Sequence, residues 1–505
     1  MAARPTWPPR QAAEQELRLA EQRLARTPGS ADARLERARL LDRLGRPEVR
    51  DAYLAVLAID PAHRETLLRL GALLAATGFT TAARTVLARA VDARPDDANA
   101  RTALGHLLRA AGETDAARGH YEAALRSDPA QPEAHQGLSY LLDGIDEAAA
   151  EHHRTLGFTG RALTTRPFRG THSPVRVLQL VSARGGNVPT AALLDDATFL
   201  THSIVAEYAA PGLALPPHDL VFNAIGDAER CGIALRHAAA LLARTDAPVI
   251  NPPARITPTT RAGNAALGRL EGVTTPRIAT LPRAALAPGL PAGFPCPVLL
   301  RSPGYHTGQN FVRLENAGDL DAALRALPGD TLTLIEPLDA RGADGAWRKY
   351  RIMLVGGAIL PLHLAISPQW KVHHFTADMH DRPAHREEEA AFLGNMAGVL
   401  GAPAIAALRR IGDALALDYG GIDFALGPRG EVLLFEANAT MTVAMPPADP
   451  VWSYRRSAVA DVLEAVRALL LGRARPGRPE RLPVPDRPQT TREDPLVPFE
   501  PFASR

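Results

Sequence analysis

The stretch GIDFALGPRGEVLLFEANATM (residues 421–441) places acidic residues inside two otherwise apolar runs. If each run is a strand and GPRG is the turn between them, Glu436 and Asn438 project from one face because they are two residues apart. Asp423 can then lie opposite them across the hairpin. Two carboxylates and an amide oxygen on one sheet face are unfavourable unless a hard cation or a ligand compensates them. The stretch therefore predicts a magnesium site.

Length and composition limit the class of protein. A chain of 505 residues can form several domains, and a net charge of +2 argues against a nucleic-acid partner. Cys231 and Cys296 lack CxxC spacing, which excludes a disulfide framework and a thiolate zinc site. The sequence has neither a secretory leader pattern nor an apolar run of the ~18 residues that a membrane span requires. We therefore expect a cytoplasmic protein without a membrane partner.

A periodic pattern occupies residues 28–142. Pro61, Pro95 and Pro129 are 34 residues apart, and Pro28 precedes Pro61 by 33 residues. Small residues recur at the same spacing, and bulky residues recur with them; the matching pairs are Gly71 and Gly105, Gly78 and Gly112, Ala83 and Ala117, Leu87 and Tyr121, and Ala90 and Ala124. The spacing predicts stacked helical hairpins whose helices approach closely at the small residues.

This pattern resembles the tetratricopeptide repeat. The resemblance implies an all-α solenoid over residues 28–160, with a helical lead-in at 1–27. About three repeats and a terminal half-repeat that ends at Leu142 would stack into one core. Such arrays bind protein partners in their groove, but this one could equally pack only against its neighbouring domain. Both interpretations are open from the sequence.

From about Val175 the pattern changes to short apolar strands that alternate with helices. VRVLQLVSARGGN, HDLVFNAIGDAE and APVINPP read as strands, and ALRHAAALLAR reads as a helix between the last two. This order predicts a parallel sheet with covering helices over residues 175–254. SARGGN lacks the GxGxxG fingerprint of dinucleotide sites, so Gly185 and Gly186 are predicted to form a turn at the sheet's C-terminal edge.

Residues 255–472 carry the candidate chemistry. The helical TTRAGNAALGRL is followed by predicted strands at CPVLLRS, TLTLIEPLD and KYRIMLVGGAILP, and then by the acidic hairpin. Together with residues 175–254, this succession resembles the ATP-grasp ligases of the glutathione synthetase and D-alanine:D-alanine ligase group. The resemblance implies an α/β subdomain before an α+β ATP-grasp fold. The Pro- and Arg-rich segment 473–505 lacks apolar periodicity and is predicted to be disordered or extended over the surface.

The resemblance also implies the ligands. ATP would bind with one or two Mg²⁺ ions, for which Mn²⁺ could substitute, held by Asp423, Glu436 and Asn438. Glu436 would bridge the two ions. In SPGYHTGQNF, Gly304 and Gly308 allow backbone N–H groups to approach an anion, and the loop is similar to the family's phosphate loop.

Basic residues occupy the expected phosphate positions. Arg301 and Arg261 stand where relatives commonly carry lysines, and arginine keeps the charge and can bind phosphate through two hydrogen bonds. They could also be two surface arginines. Arg351 would hold the transferring γ-phosphate and the acyl phosphate, with Lys349 as a second candidate. The hinge LIEPLD would supply the adenine contacts at Glu336, Pro337 and Leu338, and Glu336 or Asp339 could bind the ribose.

Four histidines, His373, His374, His380 and His385, occur in SPQWKVHHFTADMHDRPAH. Their spacing matches no zinc motif, so we predict a loop or strand that lines the substrate pocket. Trp370 and Lys371 are the possible substrate contacts. A plain surface loop is the alternative.

These patterns lead to one functional hypothesis and two alternatives. The first is an ATP-dependent ligase that joins a carboxylate to an amine through an acyl phosphate, with substrates that are small molecules, peptides or proteins. The second is a repeat scaffold whose grasp domain binds nucleotide without catalysis, which Arg261 and Arg301 favour. The third is a kinase that transfers the phosphoryl group to a stable acceptor.

Overall fold

The computed structural model describes residues 10–303, 310–373, 377–447 and 449–474. These residues form two compact units. Among them, unit 1 comprises residues 10–177 and 194–217, and unit 2 comprises residues 178–193 and 218–474.

Unit 1 is built mainly from helices that pack as consecutive pairs. After α1 (Arg10–Arg26) come α2 (Ala31–Arg43), α3 (Val49–Leu57), α4 (Arg64–Ala76), α5 (Thr80–Ala93), α6 (Ala98–Ala110), α7 (Thr114–Ser127), α8 (Pro132–Leu142) and α9 (Glu147–Phe158). Side chains cap several of these helices; Ser30 accepts from the Ala33 N–H and Asp97 accepts from the Ala100 N–H. Buried alanines and leucines from all the pairs merge into one core.

The repeated small residues allow the helices of a pair to approach closely. A Cβ atom on Gly71 would lie 2.5 Å from Leu87 Cδ2, and one on Gly105 would lie 2.7 Å from Tyr121 Cε1. On α8, which follows the helix of Tyr121, a Cβ atom on Gly137 would lie 2.3 Å from the same tyrosine ring. These distances leave no room for a methyl group, so the helices approach closely at these glycines, as the sequence predicts.

The same contacts give a testable effect on stability. Gly105→Ala should lower the free energy of unfolding by about 1–3 kcal/mol because the new methyl group overpacks against Tyr121. Gly119 of α7 is the matched control, since a Cβ atom there would have no described neighbour within 4 Å. Gly119→Ala should be neutral or stabilise by up to ~1 kcal/mol. Denaturation followed by circular dichroism at a helical band checks both; equal effects would contradict the packing argument.

The last helical hairpin lies within the predicted range of 28–160. The unit predicted as a half-repeat ending at Leu142 is one helix of a full hairpin, because α9 follows α8. Arg154 of α9 is buried and forms ion pairs with Asp143, Glu147 and Glu151. The pair with Asp143 joins α9 to the end of α8, and the pairs with Glu147 and Glu151 lie within α9.

The rest of unit 1 contacts both the first and the last helical pair. Strand β1 (Leu163–Thr165) pairs antiparallel with β3 (Phe199–Val205), and β2 (Val175–Val181) spans the division between the units. Arg169 forms ion pairs with Asp42 at the end of α2 and with Asp196. The Tyr208 ring stacks on the Phe158 ring of α9, with a centroid distance of 5.5 Å. This segment therefore ties the two ends of the helical array.

Unit 2 is a mixed α/β structure. Its elements, in order, are β4 (Leu220–Asn223), α10 (Gly232–Leu242), β5 (Val249–Ile250), α11 (Pro253–Ile256), α12 (Arg261–Ala265), β6 (Val273–Thr274), β7 (Ile278–Pro282), α13 (Arg283–Leu286), β8 (Val298–Arg301), β9 (Phe311–Leu314), α14 (Leu320–Ala326), β10 (Thr331–Ile335), β11 (Trp347–Val355), β12 (Ala358–Ser367), α15 (Pro383–Gly394), α16 (Met396–Leu415), β13 (Tyr419–Leu426), β14 (Val432–Asn438) and α17 (Arg456–Ala474). Strands β4 and β5 are parallel, with α10 between them in sequence, as predicted.

Two further sheets lie within unit 2. One has the order β7-β10-β8-β9 and is antiparallel. The other has the order β12-β11-β13-β14-β6, and only its β14–β6 pair is parallel. Its apolar face packs on α15 and α16 in a core that includes Ile352, Phe392 and Phe424. The larger sheet carries the acidic hairpin.

The prediction of a single strand across KYRIMLVGGAILP is wrong. Val355 pairs with Ala358, so β11 and β12 form a hairpin around Gly356 and Gly357. Both glycines have positive φ, 56° and 87°, as a two-residue turn of this kind requires. Of the predicted tail, Arg473 and Ala474 belong to α17, and the remainder lies outside the described residues.

In the described part of the chain, no single helix is long and apolar enough to cross a membrane. One bent pair, α15 with α16, passes the test of length and composition when the two helices are taken together. A single pair of this kind is weak evidence for a membrane span.

Candidate functional site

The hairpin β13–β14 positions the acidic residues as the sequence predicts. Its turn closes where the Gly427 N–H donates to the Glu431 carbonyl at 2.8 Å. In the antiparallel register, Asp423 pairs with Glu436 and Gly421 pairs with Asn438. The register shifts by one residue just after Asp423, which leaves Phe435 as the extra residue of a bulge. Asp423 and Glu436 therefore face each other across the hairpin.

Asp423 is buried between two cations. Arg351 of β11 lies opposite Asp423 in the strand register. Its guanidinium donates from Nε to Oδ1 at 2.5 Å and from Nη2 to Oδ2 at 2.8 Å. The Lys349 ammonium lies 3.1 Å from Oδ2. Burial alone would raise the pKa of Asp423, but Arg351 and Lys349 outweigh it and hold that pKa well below its usual range. The carboxylate is therefore ionised at neutral pH.

Glu436 and Asn438 have different hydrogen-bond roles. The Arg261 guanidinium lies 3.3 Å from Glu436 Oε1, and the Asn438 amide donates to the same oxygen at 2.8 Å. Asn438 Oδ1 accepts from the Thr440 N–H at 2.9 Å and from its hydroxyl at 2.8 Å. Since a carbonyl oxygen has two lone pairs, Asn438 Oδ1 is already satisfied. In this arrangement Glu436 is the more available oxygen donor, because both oxygens of Asp423 are bound by Arg351 and one also by Lys349.

One cavity of about 740 Å³ collects most of the predicted site residues. Its lining includes Arg261, Arg301, Glu336, Pro337, Leu338, Lys349, Arg351, Asp423, Glu436 and Asn438. Asp339 is not part of this lining; its carboxylate pairs with Arg341 at 2.6 Å on the exposed side of the hinge. Gly304, Gly308 and His374 lie outside the described residues.

Arg301, at the end of β8, is a cation of the cavity whose pKa is strongly lowered. Burial and then the neighbouring Arg261 lower its pKa to about 10. Its guanidinium lies 5.7 Å from the ring centroid of Phe311 on β9. Arg301 remains a cation at neutral pH, but its environment opposes that charge. An anion in the cavity would relieve this cost.

The hinge after β10 presents backbone and apolar groups. The Glu336 N–H donates to the Arg277 carbonyl, and the Glu336 carboxylate pairs with the Arg277 guanidinium at 3.0 Å. The hydrogen bonds from Arg277 lower the pKa of Glu336. Apolar side chains that also line the cavity are Pro276, Leu299, Ile335, Leu338, Trp347 and Phe435.

Several lining residues were not predicted. Leu299 could have been found, because it is two residues before Arg301 and therefore shares its strand face. Phe311 and Arg313 lie on β9, which follows the undescribed segment 304–309 and is only four residues long. Such a short strand carries little periodic signal.

The histidine-containing stretch lies partly at the cavity. Trp370, Lys371 and His373 line it, which places the two predicted contact residues there. Burial, then Lys349 and Arg351, lower the pKa of His373, so its ring is neutral at pH 7. Within the described ranges, no three His, Cys, Asp or Glu side chains are arranged to hold a metal ion together.

Comparisons with known proteins identify the helical part of unit 1. A tetratricopeptide repeat family model matches residues 68–132 and, in a second alignment, residues 102–152. Residues 68–152 are tetratricopeptide repeats. A comparison with the curated proteins found no match.

Solved structures show similarity to each part. MamA from Desulfovibrio magneticus RS-1 is 25% identical over 29% of this chain and 85% of its own, with a TM-score of 0.27. Pseudomonas aeruginosa pilF is 21% identical over 29% of this chain and 76% of its own, with a TM-score of 0.25. The VanG D-Ala:D-Ser ligase from Enterococcus faecalis is 12% identical over 60% of this chain and 100% of its own. Its TM-score of 0.38 marks a weak similarity.

Proposed function

We propose that unit 2 is an ATP- and magnesium-dependent ligase that joins a carboxylate to an amine. The observation that carries this proposal is the juxtaposition, in one cavity, of two opposed carboxylates with several cations. Asp423 and Glu436 face each other in register, and Arg261, Arg301, Lys349 and Arg351 line the same space. Such a mixture of charges suits a polyphosphate that arrives with its own divalent cation.

The donor set fits magnesium or manganese. Mg²⁺ is usually held by one or two carboxylates and by substrate phosphate oxygens. Glu436 can supply one carboxylate, and Asp423 could supply a second if Arg351 or Lys349 released one of its oxygens. Asn438 would orient Glu436 through its amide hydrogen bond, and it could act as a third ligand only if it released Thr440. When bound, the ions would neutralise charge on the transferring phosphoryl group.

The cations of the cavity fit the proposed roles in phosphate binding. Arg261 and Arg301 are close enough for Arg261 to lower the pKa of Arg301, so both can bind one polyphosphate chain. Arg351 is partly buried and bound by both oxygens of Asp423, which keeps its guanidinium in one position. A positioned cation of this kind stabilises charge that develops during phosphoryl transfer. Nucleotide binding would also use the apolar lining at Leu299, Ile335 and Leu338 against the base.

The proposed reaction has two steps, formation of an acyl phosphate and its attack by the amine. A carboxylate oxygen of the first substrate attacks the γ-phosphorus of ATP, the bond from that phosphorus to the β,γ-bridging oxygen breaks, and ADP leaves with the electron pair. The amine nitrogen of the second substrate then attacks the acyl carbon, and the carbon–oxygen bond to phosphate breaks. Inorganic phosphate leaves, and the proton lost by the nitrogen passes to solvent. The enzyme needs no covalent nucleophile of its own, since positioning and charge stabilisation carry both steps.

Product analysis tests this function. The full-length protein is incubated with ATP, magnesium and a matrix of carboxylic acids and amines, and the products are followed by phosphate release and mass spectrometry. The ligase predicts phosphate release and a dehydrated conjugate only when both an acid and an amine are present. A stable phosphorylated product would instead indicate a kinase. Failure of every pair to release phosphate above the level of Glu436→Ala would contradict catalysis.

The repeats favour a second role for unit 1. Tetratricopeptide repeats are scaffolds for protein interaction, and residues 68–152 match that family model. We propose that unit 1 recruits a protein partner or a protein-borne substrate. The test is affinity capture of partners on the full chain, compared with Gly105→Ala, which strains the repeat packing against Tyr121, and with the control Gly119→Ala. A partner that binds all three proteins equally would not support recruitment through this part of the repeats.

A further inference from the structure

Among the described residues that line the cavity, two cations lack the acidic partner that the other lysines and arginines have. Neither Arg301 nor Lys371 forms an ion pair with a described carboxylate. The paired lining residues are Arg261 with Glu436, Arg313 with Glu315, Arg348 with Glu388, Lys349 and Arg351 with Asp423, and Arg455 with Glu389. Arg301 and Lys371 are therefore the two described lining cations without a directly paired carboxylate, although Glu436, Glu229 and Asp227 offset part of the charge of Arg301 from a greater distance.

These two cations share one partner residue, Phe311. The Lys371 ammonium donates to the Phe311 carbonyl at 3.4 Å, and the Arg301 guanidinium lies 5.7 Å from the Phe311 ring centroid. Trp370 contacts the same ring edge-on, with a centroid distance of 5.3 Å. The result is a small subsite with two cations beside an aromatic wall, which we call the Lys371 subsite (Arg301, Phe311, Trp370 and Lys371).

The charges in this subsite oppose one another. Burial and then Arg301 lower the pKa of Lys371, while burial and then Arg261 lower the pKa of Arg301. Cations held close together without an anion are unfavourable, and an anionic ligand removes the cost. The nucleotide phosphates can account for Arg301, which lies beside Arg261. Lys371 is left for another anion.

We propose that the Lys371 subsite binds a second anionic group, a carboxylate or a phosphate, on the acid substrate. This inference rests on the proposed ligase function, in which the first carboxylate of that substrate reacts beside Arg351. The substrate class is thus a dicarboxylic acid or a phosphorylated carboxylic acid. Its apolar segment packs on Trp370 and Phe311, and its second anionic group pairs with the exposed Lys371 ammonium.

A binding comparison tests the subsite. Glutarate, 3-phosphonopropionate and the matched monoacid butyrate are titrated by calorimetry into the full-length protein, with and without magnesium and a non-hydrolysable ATP analogue. At least one of the two dianions should bind about tenfold or more tightly than butyrate, as a charge-assisted hydrogen bond to Lys371 provides. The stronger of the two dianions identifies the second group as carboxylate or phosphate.

Two variants test whether Lys371 causes the preference for the dianion. Lys371→Gln should remove the preference for the dianion and leave affinity for the nucleotide analogue unchanged within about twofold, whereas Lys371→Arg should keep the preference. Equal binding of all three acids, or no binding of any, would overturn the subsite. So would a large loss of nucleotide affinity in Lys371→Gln, because Lys371 would then belong to the nucleotide site. If the nucleotide analogue fails to bind but Lys371 still selects the dianion, the ligase proposal fails and the anion subsite stands.

Discussion

Asp423→Ala lowers the free energy of unfolding of unit 2 by about 3–5 kcal/mol, because it removes a buried carboxylate and leaves two partly buried cations without their counter-ion. The Asp423 side chain is 4% exposed, and Arg351 and Lys349 are 21% and 17% exposed. Their charges cannot be solvated well where they lie. The variant should also lose ATP-dependent turnover, since the same carboxylate is a proposed metal ligand.

Urea denaturation followed by tryptophan fluorescence measures this effect. Of the four tryptophans, Trp347, Trp370 and Trp452 lie in unit 2. The control is Asp339→Ala, whose ion pair with Arg341 is largely exposed and should contribute no more than about 1 kcal/mol. Equal losses for the two variants would show that the Asp423 cluster is not buried as described.

The same carboxylate predicts a pH dependence. The folded pKa of Asp423 lies below its unfolded value of about 3.9, so the folded state binds fewer protons there. Its contribution to stability is therefore fully present above about pH 4 and is lost as pH falls towards the folded pKa. Asp423→Ala should lack this part of the acid transition, which makes the stability difference between variant and wild type shrink at low pH.

Glu389→Ala is expected to destabilise unit 2 by a similar amount, about 3–5 kcal/mol. Glu389 is fully buried on α15, and its Oε2 accepts from the Arg455 guanidinium at 2.6 Å and from the Tyr454 hydroxyl at 2.5 Å. Its Oε1 accepts from the Leu364 N–H of β12 at 3.2 Å. One carboxylate thus joins a helix, a strand and the segment before α17.

The matched control for this cluster is Glu388→Ala on the same helix. Glu388 pairs with Arg348, but its side chain is 33% exposed, and Arg348 keeps a second partner in Asp344. Its loss should cost less than half as much in the same fluorescence-detected denaturation. A Glu389 variant that unfolds at the wild-type urea concentration would contradict the role given to this carboxylate.

Sequence reasoning found the acidic hairpin because three independent signals agree there. The GPRG turn, the i and i+2 spacing of Glu436 and Asn438, and the apolar residues around them all indicate a hairpin. The bulge at Phe435, which brings Asp423 opposite Glu436, was not predicted. The repeat spacing was equally informative, since small residues mark where helices touch. Both features depend on local periodicity, which is the part of a fold that a single sequence records most directly.

Other features could not be obtained in this way. The Gly356–Gly357 turn was present in the sequence as a hairpin signal, but the apolar residues on both sides also fit one long strand. The Thr440 hydrogen bonds to Asn438 depend on local backbone geometry, and they occupy the oxygen that the sequence predicts as a metal ligand. The pairing of each cavity arginine with its own carboxylate depends on long-range packing, and only the structure distinguishes Arg301 and Lys371 from the rest.

The central claim is that the acidic hairpin forms a nucleotide–metal site. Calorimetric titration of ATP into the wild-type protein, with and without magnesium, tests it most directly when Glu436→Ala is measured beside it. The matched control is Glu271→Ala, which removes an exposed carboxylate that pairs with Arg410 and does not line the cavity. We expect magnesium-dependent binding to wild type and Glu271→Ala, and binding at least ~10-fold weaker to Glu436→Ala. Absence of ATP binding to wild type, or equal binding to all three proteins, would contradict the account.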